Sequence, residues 1–135
     1  MRNNRGISLV VLMIIIASVS LISRIAIKQV LTLTISWNQT SAQEALKVIS
    51  IALENFAKDN NNVYPLKIDS LAQGNPPYLN RDYFTGSYIR GYNYACPTLD
   101  AGGYSCIASP TTCHLTGETV FTVNTGSVIT SQKCE

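Results

Sequence analysis

Residues 7–59 read ISLVVLMIIIASVSLISRIAIKQVLTLTISWNQTSAQEALKVISIALENFAKD and contain neither glycine nor proline. A breaker-free run predicts helix, because those two residues carry the large penalties in a helix interior. As one helix the run would be about 80 Å long at 1.5 Å rise per residue.

The two halves of the run differ. Residues 7–22 are apolar except for Ser8, Ser18 and Ser20. A helix of that length spans about 24 Å, short of a ~30 Å hydrocarbon core. Ser23 and Arg24 interrupt, and residues 25–37 resume the apolar character around Lys28. Arg24 and Lys28 can snorkel to headgroups. The segment therefore lies between a membrane helix and the core of an export signal. A signal peptidase needs small residues after the apolar core. The best match, Ser18-Val19-Ser20, sits inside the apolar run, and no L-x-x-C lipobox exists. Ordinary export cleavage explains the segment poorly.

The second half is amphipathic. Ala42, Ala45, Leu46, Ile49, Ala52, Leu53 and Phe56 recur at three- and four-residue spacing, with Gln43, Lys47, Glu54 and Lys58 elsewhere on the wheel. Such a stripe needs a partner surface. Asn60-Asn61-Asn62, with Pro65 beyond, is a plausible stop. Two features favour a break. Residues 31–37 alternate apolar and polar with the period of a strand, and Ser41-Ala42-Gln43-Glu44 is a capping box. The alternative is a membrane helix ending near residue 30, a linker, and a new helix at Ser41. One long helix is preferred, because nothing between forces a turn.

After residue 64 the texture changes. Every glycine except Gly6 and every proline lies there. Residues 66–79 read as a loop with one helical turn. Strands are expected at 87–95, 103–109, 119–124 and 127–131, with turns at Asp100-Ala101-Gly102-Gly103 and Asn124-Thr125-Gly126. All four cysteines, Cys96, Cys106, Cys113 and Cys134, lie in this part. An even count downstream of a hydrophobic segment suggests disulfides in an oxidising compartment. A hairpin turning about Ala101 sets Cys96 opposite Cys106 and leaves Cys113 for Cys134, one of three possible pairings.

Charge and motif content narrow the function. Residues 1–40 carry Arg2, Arg5, Arg24 and Lys28 and no acid, whereas residues 41–135 carry six bases against eight acids. The folded part has no basic excess, which argues against nucleic-acid binding. No two cysteines have C-x-x-C spacing, and the only histidine, His114, adjoins Cys113, so no metal site is expected. His114 has no catalytic partner nearby, and Asp59, Asp69, Asp82 and Asp100 are isolated. No nucleophile elbow, P-loop or zincin motif is present. The chain is expected to be no enzyme and to need no cofactor. The seven tyrosines, spanning Tyr64 to Tyr104, suit strands, or else a carbohydrate or partner surface. Asn38-Gln39-Thr40 matches a glycosylation sequon only by chance.

Arg5-Gly6-Ile7-Ser8-Leu9, running into an apolar helix after a short basic leader, resembles the signal of type IV pilins and type II secretion pseudopilins. Ser50-Ile51-Ala52-Leu53-Glu54-Asn55-Phe56, Asp59-Asn60 and Tyr64-Pro65 resemble the helix end of major pseudopilins. The stretch 92–135, with its cysteines and Thr122-Val123-Asn124-Thr125-Gly126, is similar to cysteine-bearing pilin heads. The resemblance implies an α+β pilin-like fold, a long N-terminal helix on a small antiparallel sheet. It implies a leader over residues 1–6, a helix over 7–59 (membrane and assembly part 7–37, amphipathic part 41–59) and a disulfide-bonded head over 60–135. Prepilin peptidase would cut between Gly6 and Ile7 and methylate the new amine. The mature chain would sit in the inner membrane as a single-pass protein with its head in the periplasm or outside. An inner-membrane assembly platform would then pass it into a filament of other pilin or pseudopilin subunits. Two departures stand out: Ile7 replaces the usual Phe, and Val11 occupies the fifth mature position, where the family has Glu. A missing carboxylate there resembles minor subunits, including those at filament tips. The acids of the major-pseudopilin calcium loop are also absent, so no calcium site is expected. The alternative is a signal-anchored ectodomain that binds a ligand or protein partner and never polymerises.

Overall fold

A computed structural model describes residues 8–86 and 88–135. The elements are α1 (Leu9–Asp59), a 3-10 turn (Ile68–Leu71), β1 (Tyr92–Asp100), β2 (Gly103–Pro110), β3 (Thr119–Asn124) and β4 (Val128–Lys133). The class is α+β. Two compact units divide the chain, Met1–Leu33 and Thr34–Glu135, and α1 contributes to both.

Residues 31–41 are helical. The alternation at 31–37 does not become a strand, because a strand needs a neighbour's hydrogen bonds whereas a helix satisfies its own. Ser41 does not start a helix either. It lies inside α1, and the preceding Thr40 hydroxyl donates to the Ser36 carbonyl at 3.0 Å. The stop at the asparagines is explicit. The Asn60 side-chain amide donates to the Phe56 carbonyl at 2.8 Å. The Asn62 N–H donates to the Ala57 carbonyl at 2.7 Å. Asn61 and Asn62 take left-handed φ of 57° and 62°, a conformation asparagine tolerates better than most residues.

The amphipathic stripe finds its partner in the sheet. Ala42, Ala45, Leu46, Ile49, Ala52 and Leu53 join Tyr92 and Tyr94 of β1, Tyr104, Cys106 and Ala108 of β2, and Phe121 and Val123 of β3 in one buried cluster. β2 alternates, burying every second side chain from Tyr104 to Ala108. Each fully buried large apolar side chain here stabilises by roughly 1.5–3 kcal/mol. Leu71 and Leu79 close the same core from the loop between α1 and β1.

The sheet is a four-stranded antiparallel meander in the order β1-β2-β3-β4. The first strand begins later than the sequence suggests, at Tyr92 rather than at position 87, and runs on to Asp100. Its register shifts by one residue between Ala95 and Thr98. Pro97 lies in that shift, where its missing N–H costs no ladder hydrogen bond. Near the turn Leu99 opposes Tyr104, and beyond the shift Ala95 opposes Ile107. Without the bulge Cys96 would oppose Ile107. With it, Cys96 meets Cys106, and the two are bonded with Cα atoms 3.9 Å apart. Cys113, on the connection between β2 and β3, is bonded to Cys134 just beyond β4, with Cα atoms 5.9 Å apart.

Gly91 is the position most dependent on glycine. Its φ is +72°, and a Cβ there would sit 2.7 Å from the Thr116 Cβ. The β2–β3 connection thus lies directly on the entry to β1.

Candidate functional site

The first unit offers an apolar helical surface. α1 is long and apolar enough to cross a membrane, and its most apolar window, with mean hydropathy 2.5, has none of its residues buried. Val11 is 47% exposed among Leu9, Val10, Leu12 and Met13, which are also exposed. It brings no polar atom to the helix surface. The serines do not spoil the apolar character. The hydroxyls of Ser18, Ser20 and Ser23 donate to the carbonyls of Ile14, Ile16 and Val19 at 2.8 Å. Thr32 does the same to Lys28 at 2.9 Å. Each hydroxyl is satisfied by its own helix, as required where no water is present. Arg24, Lys28 and Thr32 follow one another at four-residue spacing, which aligns them along one face. Gly6 and Ile7, the expected processing site, lie outside the described residues.

In the second unit one carboxylate ties the helix to three other parts of the fold. Glu54 accepts hydrogen bonds from the Tyr64 and Tyr104 hydroxyls, each at 3.0 Å, and from the Gly126 N–H at 2.8 Å. It thereby joins α1, the loop after it, β2 and the β3–β4 turn. Burial pushes the Tyr104 hydroxyl up to about 12, with Glu54 reinforcing and Ser127 opposing the shift. Tyr64 is raised by burial first and by Glu54 second. The Ser127 N–H donates to the Tyr104 oxygen at 3.3 Å, so the tyrosine relays the contact into the turn. This arrangement is structural.

A groove of about 610 Å³ lies elsewhere on the second unit. Trp37, Ser41, Glu44 and Val48 of α1 form one wall, and Arg81, Tyr83, Arg90 and Tyr94 form the other. The helix residues fall at positions 37, 41, 44 and 48, the spacing of one helix face. Tyr83 and Tyr94 meet edge to face with centroids 5.6 Å apart. The Arg81 guanidinium stands 5.8 Å from the Tyr83 ring centroid. Asp82 shapes the same loop by accepting from the Phe84 and Thr85 N–H groups at 2.8 and 3.0 Å. Those two backbone donors, Thr85 foremost, hold its carboxyl below the usual range. Burial raises the Tyr94 hydroxyl to about 12, helped by the neighbouring Tyr83 and Tyr92 and opposed by Arg81.

Among the described residues no group of three or more His, Cys, Asp or Glu side chains is placed to hold a metal ion. His114 lies in a turn with φ of +65°, and its N–H donates to the Gly117 carbonyl at 2.9 Å. The sequence reading missed the groove. Trp37 reads as one more apolar residue of the helix, and Arg81 and Arg90 lie in a segment without periodicity. The signal that was present is the helix-face spacing of Trp37, Glu44 and Val48, on the flank of the stripe that builds the core. No protein-family model matches this sequence, and no curated protein is significantly similar to it.

Proposed function

We propose that the chain is a structural subunit of a type II secretion or type IV pilus-like filament, in a minor position that includes the tip. The observation that carries this reading is the division of labour along α1. Its first part is apolar and exposed, with its hydroxyls internally satisfied, and its second part is buried against a disulfide-bonded sheet. A surface of that kind is equally at home in lipid and among copies of itself, since both are apolar. The subunit acts by packing and catalyses no reaction. Prepilin peptidase cleaves between Gly6 and Ile7, the head faces the periplasm or exterior, and an inner-membrane platform transfers the helix into the filament.

Val11 is the feature that bears on position. A carboxylate at the bilayer centre costs roughly 3 kcal/mol, and pairing it with a neighbour's terminal amine would favour assembly. Val11 has neither the cost nor the pair, which suits a subunit with no subunit above it. The same residue favours the second reading, a signal-anchored ectodomain that binds a partner without polymerising. Intact mass after expression with and without a prepilin peptidase separates them. Loss of residues 1–6 with gain of one methyl group supports the filament subunit. An unchanged mass in both samples leaves the anchored ectodomain.

A further inference from the structure

We infer that the groove between α1 and the segment preceding β1 is a docking site for an acidic peptide segment of a protein partner. The argument starts from charge. Arg81 and Arg90 stand on one wall, both exposed. Among the described residues neither guanidinium forms an ion pair with a carboxylate. Arg81 stands over the Tyr83 ring and near the Tyr94 hydroxyl, and Arg90 is presented from a backbone with φ of +47°. An arginine fork is suited to bidentate recognition of a carboxylate. Two such forks beside one groove call for two acidic groups, while Glu44, the one carboxylate in the lining, disfavours a purely anionic occupant.

The remaining lining fits the rest of a peptide. Val48, Ala45 and Ile89 are apolar, and Trp37, Tyr83 and Tyr94 give amphipathic aromatic surface of the kind concentrated at protein interfaces. The volume of about 610 Å³ accommodates a few residues rather than a folded domain. An uncharged glycan fits less well. The hydroxyls of Ser36, Thr40, Ser41, Tyr83 and Tyr94 and the Glu44 carboxylate would serve sugar hydroxyls, but a neutral sugar leaves both arginine forks without an anion. This inference stands apart from the filament reading, because all groove residues belong to the unit Thr34–Glu135 and only Ser36 and Trp37, at its very end, belong to the apolar part of α1.

Trp37 is the only tryptophan in the chain and reports on its own site. The full chain in detergent micelles would be titrated with a capped hexapeptide alternating glutamate and leucine, and Trp37 emission followed. The glutamine counterpart and an oligogalacturonate serve as comparison ligands. The expected result is saturable binding of the acidic peptide that weakens with salt. The paired change Arg81→Ala with Arg90→Gly is expected to weaken it by about tenfold or more, as loss of charge-assisted hydrogen bonds implies. Glycine at position 90 keeps the left-handed φ available, and R81K with R90K tests charge without the fork. Unchanged near-ultraviolet circular dichroism of the variants verifies the fold. An equal response to the glutamine peptide, no saturation at millimolar peptide, or indifference to the arginine changes would overturn the inference. So would binding of the oligogalacturonate in place of the peptide.

Discussion

Glu54 on α1 and Gly126 in the β3–β4 turn are 72 positions apart in sequence and 2.8 Å apart in hydrogen-bond distance. The contact makes a helix residue the anchor of the farthest hairpin. Glu54→Ala is expected to destabilise the head by about 2–4 kcal/mol, since hydrogen bonds to charged groups each contribute roughly 1.5–3 kcal/mol. Glu54→Gln should recover part of that loss, because an amide oxygen in the Oε1 position still accepts from Tyr104 and Gly126. Urea unfolding followed by near-ultraviolet circular dichroism measures both. A loss below 0.5 kcal/mol (about a surface substitution's effect) would contradict the anchoring role.

The two disulfides close loops of sequence separation 10 and 21. Each should contribute about 3 kcal/mol on the loop-entropy account. Replacing Cys96 and Cys106 together should cost more than replacing Cys113 and Cys134, because Cys106 is fully buried and its loss also opens space in the core. Peptide mapping under non-reducing conditions checks the pairing, and denaturation of the two double variants checks the order.

Alkaline stability follows from the tyrosines. Tyr94 and Tyr104 are each raised from 10.0 to about 12 by burial. A raised phenol favours its protonated form in the folded state. The corresponding stability is full below pH 10 and is lost as pH climbs from 10 toward 12. Unfolding midpoints should fall across that window, and Tyr104→Phe should flatten part of the fall. All four cysteines are bridged, so no free thiol is present to reshuffle them. A midpoint constant from pH 9 to 11.5 would sink this account.

Gly91→Ala tests how closely the β2–β3 connection rests on the start of β1. The added Cβ meets Thr116 and takes a left-handed φ. A cost of roughly 1–3 kcal/mol is expected. Thr116→Gly, which removes the Cβ at 2.7 Å, should recover the steric part in the same molecule relative to Thr116→Gly alone and leave the backbone part, whereas Thr116→Ala and Thr116→Ser keep that Cβ and recover little. The double variant separates the two.

Much of the fold was legible because it rests on local chemistry. The breaker-free run, the apolar spacing from Ala42 to Phe56 and the asparagines after Asp59 each act within a few residues, and α1 follows them. The positions of β2 and β3 likewise read from the sequence. The start of β1 did not, because residues 88–91 look like strand while the chain there turns at Arg90 and Gly91, both with positive φ. The continuation of β1 past Ala95 was not legible either, because Pro97 lacks the N–H of an unbroken ladder and only the bulge accommodates it. The expected site divides in the same way. The apolar exposure of residues 9–33 could be read from composition. Glu54's partners could not, since they come from three elements scattered over the rest of the chain. The groove was hidden for a similar reason. Its two walls are a helix face and an irregular loop, and only the folded chain brings them together.

The Cys113–Cys134 bond changes how the head carries load. β4 is an edge strand, held on one side only by β3. Tension applied beyond Cys134 would ordinarily peel such a strand away one hydrogen bond at a time. The bridge intercepts the pull before it reaches Lys133 and passes it to Cys113, on the segment leaving β2. From there the force acts on an interior strand flanked on both sides, which cannot leave without breaking its bonds to two neighbours. A head built this way resists being unzipped from its last strand, and reducing that bond should turn a mechanically stiff terminus into a soft one.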